Sequence, residues 1–191
     1  MGSLLPDVAL GHPAFAAGRV NFTAGGIFLR GCQNCSFLNG SSGNRHDAYS
    51  QTIGTSSGVA VSKNILIQNW LMHDIDRQAN PSGHTECLYI QESANVTLNN
   101  VHFARCEVFD LNIQDDVLGG PISGLLVENS EFETTVYSGY YAVNQRANTD
   151  TQWRNNHFGQ GFSLQEGTAN GYGNTKESGI NTFSANLLVA C

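Results

Sequence analysis

A short pattern that returns five times constrains this chain more than anything else in it. Segments 34–39, 64–69, 95–100, 124–129 and 150–155 each end in Asn, and their second and fourth residues are mostly apolar: Cys35 and Phe37, Ile65 and Ile67, Val96 and Leu98, Leu125 and Val127, Thr151 and Trp153. The final Asn residues stand at 39, 69, 100, 129 and 155, at intervals of 30, 31, 29 and 26. Alternation with a period of two marks a strand with one buried face. A unit of this length repeated in tandem stacks so that like strands pair in parallel. Three residues beyond the Asn come Met72, Phe103, Phe132 and Phe158; Phe183 follows after 25 residues, with Ile180 where the Asn would be. The expected core is three files of like side chains, one per strand position, at the strand spacing of about 4.8 Å.

The Asn at the end of each segment has a physical reason. A sharp bend between strands needs a residue that tolerates left-handed backbone, and Asn does. Its amide can also bond to the Asn of the next coil. A third strand precedes the motif in each coil, read at 27–29, 59–61, 88–90, 109–113, 141–143, 162–164 and 187–189. The chain therefore reads as an all-β parallel solenoid of about seven coils over residues 25–191, with three strands per coil and an asparagine ladder at one turn. Residues 1–24 lack the motif and are expected to cap the open end, because an exposed edge invites pairing with another chain. No covering segment follows the last strand, so a partner chain or a second copy is expected to close that edge. Residues 167–179 read as a Gly- and Asn-rich excursion from the coil.

Composition agrees with many short strands and tight turns. Gly (21) and Asn (20) are abundant and only 13% of residues are charged, which does not suit a helical bundle. Nine Lys plus Arg, scattered in a chain of net charge −7, cannot form the clustered cations that a phosphate backbone or an anionic membrane needs. No apolar run reaches the length of a bilayer span. Five Cys leave at least one unpaired. Cys32 and Cys35 have CxxC spacing, but there is no second such pair, so ordinary burial is expected over zinc or redox use. Four glycosylation sequons, at Asn21, Asn34, Asn39 and Asn95, fall mostly on the repeat, where the structural role of Asn takes precedence.

With its stacked Asn turn and three strands per coil, the sequence resembles the pectate-lyase-like superfamily of β-helices over roughly residues 25–191. The resemblance implies a right-handed parallel β-helix, an extracellular or cell-surface setting and a polysaccharide partner bound in a groove on the outer face of the first sheet. It does not choose an activity, since that superfamily holds lyases, hydrolases, esterases and phage tailspikes. Gln114-Asp115-Asp116 looks like the paired-Asp motif of polygalacturonases, and Ser82-Gly83-His84 like their Gly-His element. Here, however, the His element precedes the paired Asp, and Asn148-Thr149-Asp150 follows it, so the chain departs from that family. The Lys pattern of pectate lyases is missing too, with only Lys63 and Lys176 present.

Candidate chemistry gathers in the middle coils. The outward file of the first strand is expected to hold Arg30, Ser62, Tyr89, Gln91, Asp110, Asn112, Gln114, Asn144, Ser163 and Gln165. Of these, Tyr89, Gln91, Asn112 and Asn144 are the expected sugar-binding residues. The segment 73–86 collects His73, Asp74, Asp76, Arg77, His84 and Glu86 in a chain otherwise poor in charge, and the next coil adds Arg105, Glu107 and Asp110. Glu86 with Asp110, or Asp110 with Asp115, could serve as the acid and base of a glycoside hydrolase. His84 or Tyr89 could be the base of a lyase, with Arg105 neutralising the uronate. Asp115 and Asp116 are candidate oxygen ligands for Ca²⁺; otherwise no cofactor is expected. By alternation Glu86 falls on the inward face with Leu88 and Ile90, which is costly unless it is paired, so either the strand starts later or Glu86 belongs to a buried pair with His84. Two readings stand: a carbohydrate-active enzyme using His84, Glu86, Arg105 and Asp110, or a non-catalytic structural or glycan-binding module, part of a larger protein.

Overall fold

The computed structural model describes residues 21–22, 26–46, 50–54, 60–78, 81, 85–115, 121–133, 135, 141–178, 180 and 187–188. Among them there is no helix, and every strand pairing is parallel. The strands in chain order are β1 (Asn21–Phe22), β2 (Phe28–Arg30), β3 (Gln33–Arg45), β4 (Gln51–Gly54), β5 (Ser62–Ile75), β6 (Glu86–Ile90), β7 (Ser93–Cys106), β8 (Phe109–Gln114), β9 (Ile122–Ser123), β10 (Leu125–Glu128), β11 (Glu131–Phe132), β12 (Val143–Arg154), β13 (His157–Phe158), β14 (Phe162–Tyr172) and β15 (Thr175–Lys176). One stack runs β2-β4-β6-β8, all short strands, and a second runs β1-β3-β5-β7-β10, in which β3, β5 and β7 are long; β12 joins the two stacks by pairing with β8 through its first residues and with β10 through its last. The result is one long, largely parallel, unclosed sheet in a solenoid-like arrangement.

The long strands bend at fixed intervals. Left-handed backbone occurs at Asn34, Asn39 and Asn44 in β3, at Asn64, Asn69 and Asp74 in β5, and at Asn95, Asn100 and Arg105 in β7. These corners are five residues apart. Between corners the side chains alternate in and out. At each corner the left-handed residue resets the alternation so that the next side chain again points inward. Thus Ile65, Ile67, Trp70, Met72 and Ile75 are all buried, while Asn69 is exposed. The asparagine ladder expected at one turn occupies two: Asn64 bonds to Asn34 at 2.7 Å and Asn95 to Asn64 at 3.0 Å, while Asn69 bonds to Asn39 and Asn100 to Asn69, both at 2.8 Å.

The core files follow the expected register. Cys35, Ile65, Val96, Leu125 and Thr151 lie in one file; Phe37, Ile67, Leu98, Val127 and Trp153 lie in the next. Phe103, Phe132 and Phe158 stack face to face, with centroids 4.9 and 5.1 Å apart and ring planes within 10° of parallel, an arrangement that adds to the burial of three large apolar side chains.

Four expectations need correction. The short strand in the second coil is Gln51–Gly54, which pairs with β2 and β6, whereas Ala60 and Val61 are not in a strand. Ser62 points inward and is fully buried, sharing hydrogen bonds with Leu29 O and Gly54 O. The segment read as an excursion instead forms the end of β14 and β15: Lys176 lies beside Phe158 in the position expected for Phe183, and Tyr172 pairs with Arg154, so Gly173 takes the corner after Asn155 in place of Ile180. Gly is required there because φ is +66° and a Cβ would collide with Asn155 Oδ1. Finally, Cys32 and Cys35 form a disulfide, as do Cys87 and Cys106. Phe183, Cys191 and residues 1–20 of the expected cap lie outside the described residues, and Leu187 and Leu188 of the last expected strand are not in one.

Candidate functional site

The third corner of the long strands carries the most unusual local chemistry. Register aligns Asn44, Asp74 and Arg105 there, since Arg45 pairs with Ile75 and Ile75 with Cys106. Among the described residues eleven other than Gly have positive φ; nine are Asn, one is Asp74 and one is Arg105, with φ 53°. Asn and Asp tolerate this conformation because their short polar side chains bond locally, whereas for an ordinary residue it costs about 1–2 kcal/mol. Arg105 is held there by a two-pronged ion pair: its Nε donates to Asp74 Oδ1 at 2.6 Å and its Nη2 to Oδ2 at 2.7 Å. These hydrogen bonds pull the Asp74 carboxyl well below the usual carboxylate range, against the opposing effect of burial and with help from His73. The same contact raises Arg105 above its ordinary value. The Arg105 side chain nevertheless remains 57% exposed.

Just beyond the corner a second set of pairs crosses between strands. His46 Nδ1 lies 2.7 Å from Asp76 Oδ2, and Arg77 donates its backbone N–H and its Nε to the Glu107 carboxylate at 2.6 and 3.0 Å. Together these side chains line a surface cleft of about 480 Å³. His46, Asp74, Asp76, Arg77, Arg105 and Glu107 form its polar rim, with the charges largely matched in pairs. A second furrow, of about 580 Å³, runs along the Asn39–Asn69–Asn100 file beside Leu71 and His102. Both follow the stacking direction.

The outer face of the short strands is a different environment. Tyr89, Asn112 and Asn144 share one row, as expected. However, Asn112 and Asn144 are only 3% and 6% exposed, and their amides are used on each other: Asn144 Nδ2 donates to Asn112 Oδ1, and Gln165 Nε2 to Asn144 Oδ1, both at 2.8 Å. Tyr89 and Gln91 are part-buried. Asp110, expected outward with this row, is fully buried, and neither carboxylate oxygen has a hydrogen-bond partner among the described residues. Burial raises its pKa well above the ordinary value, with a smaller push from the charge of Glu133.

The remaining candidates are dispersed. Glu86 keeps the parity of Leu88 and Ile90 and is 2% exposed; Ser50 Oγ donates to its Oε2 at 2.5 Å and accepts its backbone N–H at 2.9 Å. Ser50 is thus one of its partners. Asp115 Oδ2 accepts the Asn148 N–H at 3.0 Å. His84 and Asp116 lie outside the described residues. Among the described residues no three His, Cys, Asp or Glu side chains are placed to hold a metal ion. The sequence reading picked Arg105 and the charged segment 73–86 but missed His46 and the partnership of Arg105 with Asp74. The missed signal was the third corner: Asp74 and Arg105 follow Asn69 and Asn100 by the same five residues that separate Asn64 from Asn69.

No protein-family model, curated protein or solved structure matches this chain.

Proposed function

We propose that this chain is a non-catalytic polysaccharide-binding module, a right-handed parallel β-helix of about seven coils of the pectate-lyase-like kind, working outside the cell. The observation that carries the binding role is Arg105. An exposed arginine in left-handed backbone, fixed by two hydrogen bonds at the rim of a cleft, is strain kept where a site needs a rigid donor. The rim offers planar donors and acceptors from matched charge pairs, which suits the hydroxyls of a neutral glycan better than a polyanion. The neighbouring amide file continues the polar surface along the axis, as an extended polymer requires. Two disulfides favour an oxidising compartment. Against catalysis stand the positions of the candidate groups: Glu86 and Asp110 are buried, and Arg105 is committed to Asp74 at a corner.

The test is affinity electrophoresis of the purified protein in gels containing neutral or acidic polysaccharides, paired with assays for new reducing ends and for the ultraviolet absorbance of unsaturated uronates. A neutral polysaccharide should retard the protein, and Arg105→Ala should weaken this about tenfold, a loss of about 1.4 kcal/mol. Neither assay should detect product. Release of product would restore the enzymatic reading, and absence of retardation across the panel would remove the glycan reading.

A further inference from the structure

The asparagine ladders have a direction. At both corners the amide nitrogen of each rung donates to the amide oxygen of the rung before it: Asn64 to Asn34 and Asn95 to Asn64 at one, Asn69 to Asn39 and Asn100 to Asn69 at the other. Asn34 and Asn39 are the first rungs. Their oxygens accept, and among the described residues their nitrogens donate to nothing. Three of these corner residues also open an Asn-x-Ser/Thr sequon: Asn34-Cys35-Ser36, Asn39-Gly40-Ser41 and Asn95-Val96-Thr97. All three Asn are exposed, with φ of 58°, 58° and 54°. A structural role alone would account for all of them; the direction of the ladder separates them. Asn95 is engaged on both sides. Its nitrogen donates to Asn64 at 3.0 Å, and its oxygen packs against Gly124, where an added Cβ would stand 2.6 Å away. Asn34 lies inside the small ring closed by the Cys32–Cys35 disulfide. Asn39 combines an unused amide nitrogen with an open spacer, Gly40.

We propose that Asn39 is the attachment point of an N-linked glycan. Asn-x-Ser/Thr is the acceptor signal for a lipid-linked oligosaccharide on the secretory route, and two disulfides fit the same oxidising compartment. In the transfer, Asn39 Nδ2 forms a C–N bond to the first sugar and the C–O bond from that sugar to the lipid pyrophosphate breaks. The lipid pyrophosphate leaves, and the amide gives up one proton to solvent. The oxygen that Asn69 needs is retained, so the 2.8 Å ladder bond survives. The nitrogen is turned away from Asn69, and the sugar leaves the furrow along Asn69 and Asn100 uncovered. On Asn95 the same transfer would set a sugar on the side where Asn64 accepts, so chains modified there would fold with a broken rung. The proposal shares only an oxidising, extracellular setting with the polysaccharide-binding reading; a glycan at Asn39 and retardation by a polysaccharide are measured independently.

Expression of the whole chain behind a secretion leader in yeast tests it. Secreted and retained protein are treated with a peptide N-glycosidase, which converts a glycosylated Asn to Asp, and mapped by mass spectrometry beside untreated samples. In the secreted protein the peptide 31–45 should carry one oligosaccharide and the Asn95 peptide none. Ser41→Ala, which leaves Asn39 in place, should remove that glycan, and Ser41→Thr should keep it. Circular dichroism of both variants separates loss of the sequon from loss of the fold. An unmodified Asn39 in both fractions overturns the proposal. So does a glycan on peptide 31–45 that persists in Ser41→Ala, or occupancy of Asn95 equal to that of Asn39 in the secreted protein.

Discussion

In β3, β5 and β7 the corner amides that tie one strand to the next lie on the outside of the stack; past Asn129, which still bonds outside to Asn99, a second set lies on the inside. The early units are 30 and 31 residues long, and their corner Asn residues bond to one another at the surface while aliphatic side chains fill the interior. The last step, from Asn155 to Gly173, takes only 18 residues. There Gly171 lies beside Trp153 and Lys176 beside Phe158, so the apolar files run out of filler. A buried polar chain takes their place. Asn156 Oδ1 accepts the Ser130 N–H and Asn174 Oδ1 the Asn156 N–H, both at 2.9 Å, while the Asn156 and Asn174 amides reach the carbonyls of Val127, Trp153 and Leu187. The same residue type thus does two jobs. At the surface its loss is buffered by water, whereas inside each lost partner leaves a buried group unsatisfied.

This contrast can be broken at measurable points. The largest effect is expected where the two regions meet, at Phe132, which is sandwiched between Phe103 and Phe158. Phe132→Ala should lower the unfolding free energy by about 3–5 kcal/mol, read from the urea midpoint at constant m-value. Next comes Asn156→Ala, which strands the Ser130 N–H and the Val127 carbonyl; a loss of about 2–4 kcal/mol is expected. A loss below 1 kcal/mol would mean that water replaces the chain.

Asp110 sharpens the comparison, because its carboxyl is buried in the regular region with no hydrogen-bond partner among the described residues. Its folded pKa is raised by burial, so between its unfolded value near 3.9 and the raised value the folded state holds a proton that the unfolded state has released. Stability from this group is complete below about pH 4 and falls as pH rises, by about 1.4 kcal/mol per unit until the folded value is reached. Asp110→Asn should remove that slope, so that the stabilities of variant and wild type converge or cross as pH rises from 4 to 8. Parallel curves would show that Asp110 ionises in the fold without penalty. Asp74, whose pKa is shifted the other way, contributes stability that is lost as pH falls, so the two groups separate cleanly in a pH series. The smallest effect is expected at the surface: Asn69→Gly keeps the left-handed corner but deletes two ladder bonds, and should cost less than about 1 kcal/mol.

The regular region was legible because its signals are local. Apolar alternation ending in Asn placed the files of Ile65 and Ile67 and the Phe103–Phe132–Phe158 stack in correct register, and of the two readings that the parity of Glu86 left open the structure shows the buried one. The shortened region was not legible, because Gly173 leaves no side chain to match against Asn155 and the unit length changes at that step. Ile180 and Phe183 therefore gave a false continuation. The site was legible only in part. Charge density pointed to segment 73–86 and to Arg105, but which carboxylate Arg105 meets depends on inter-strand register, and the corner spacing that sets it was read at one turn rather than three. Burial of Asp110 and Asn112 could not be foreseen either, since alternation tells which face a side chain takes but not whether that face is covered.

The five-residue corner spacing also works like a reading frame. One residue added between Asn64 and Asn69, or between Asn69 and Asp74, would place the next left-handed position on a side chain that takes it only at a cost of about 1–2 kcal/mol and turn Met72 or Trp70 outward. The same residue added between β5 and β6 would change neither. Lineages of such a chain should therefore accumulate insertions and deletions almost entirely between the long strands, so that length variation among relatives marks the loops and constant length marks the corners.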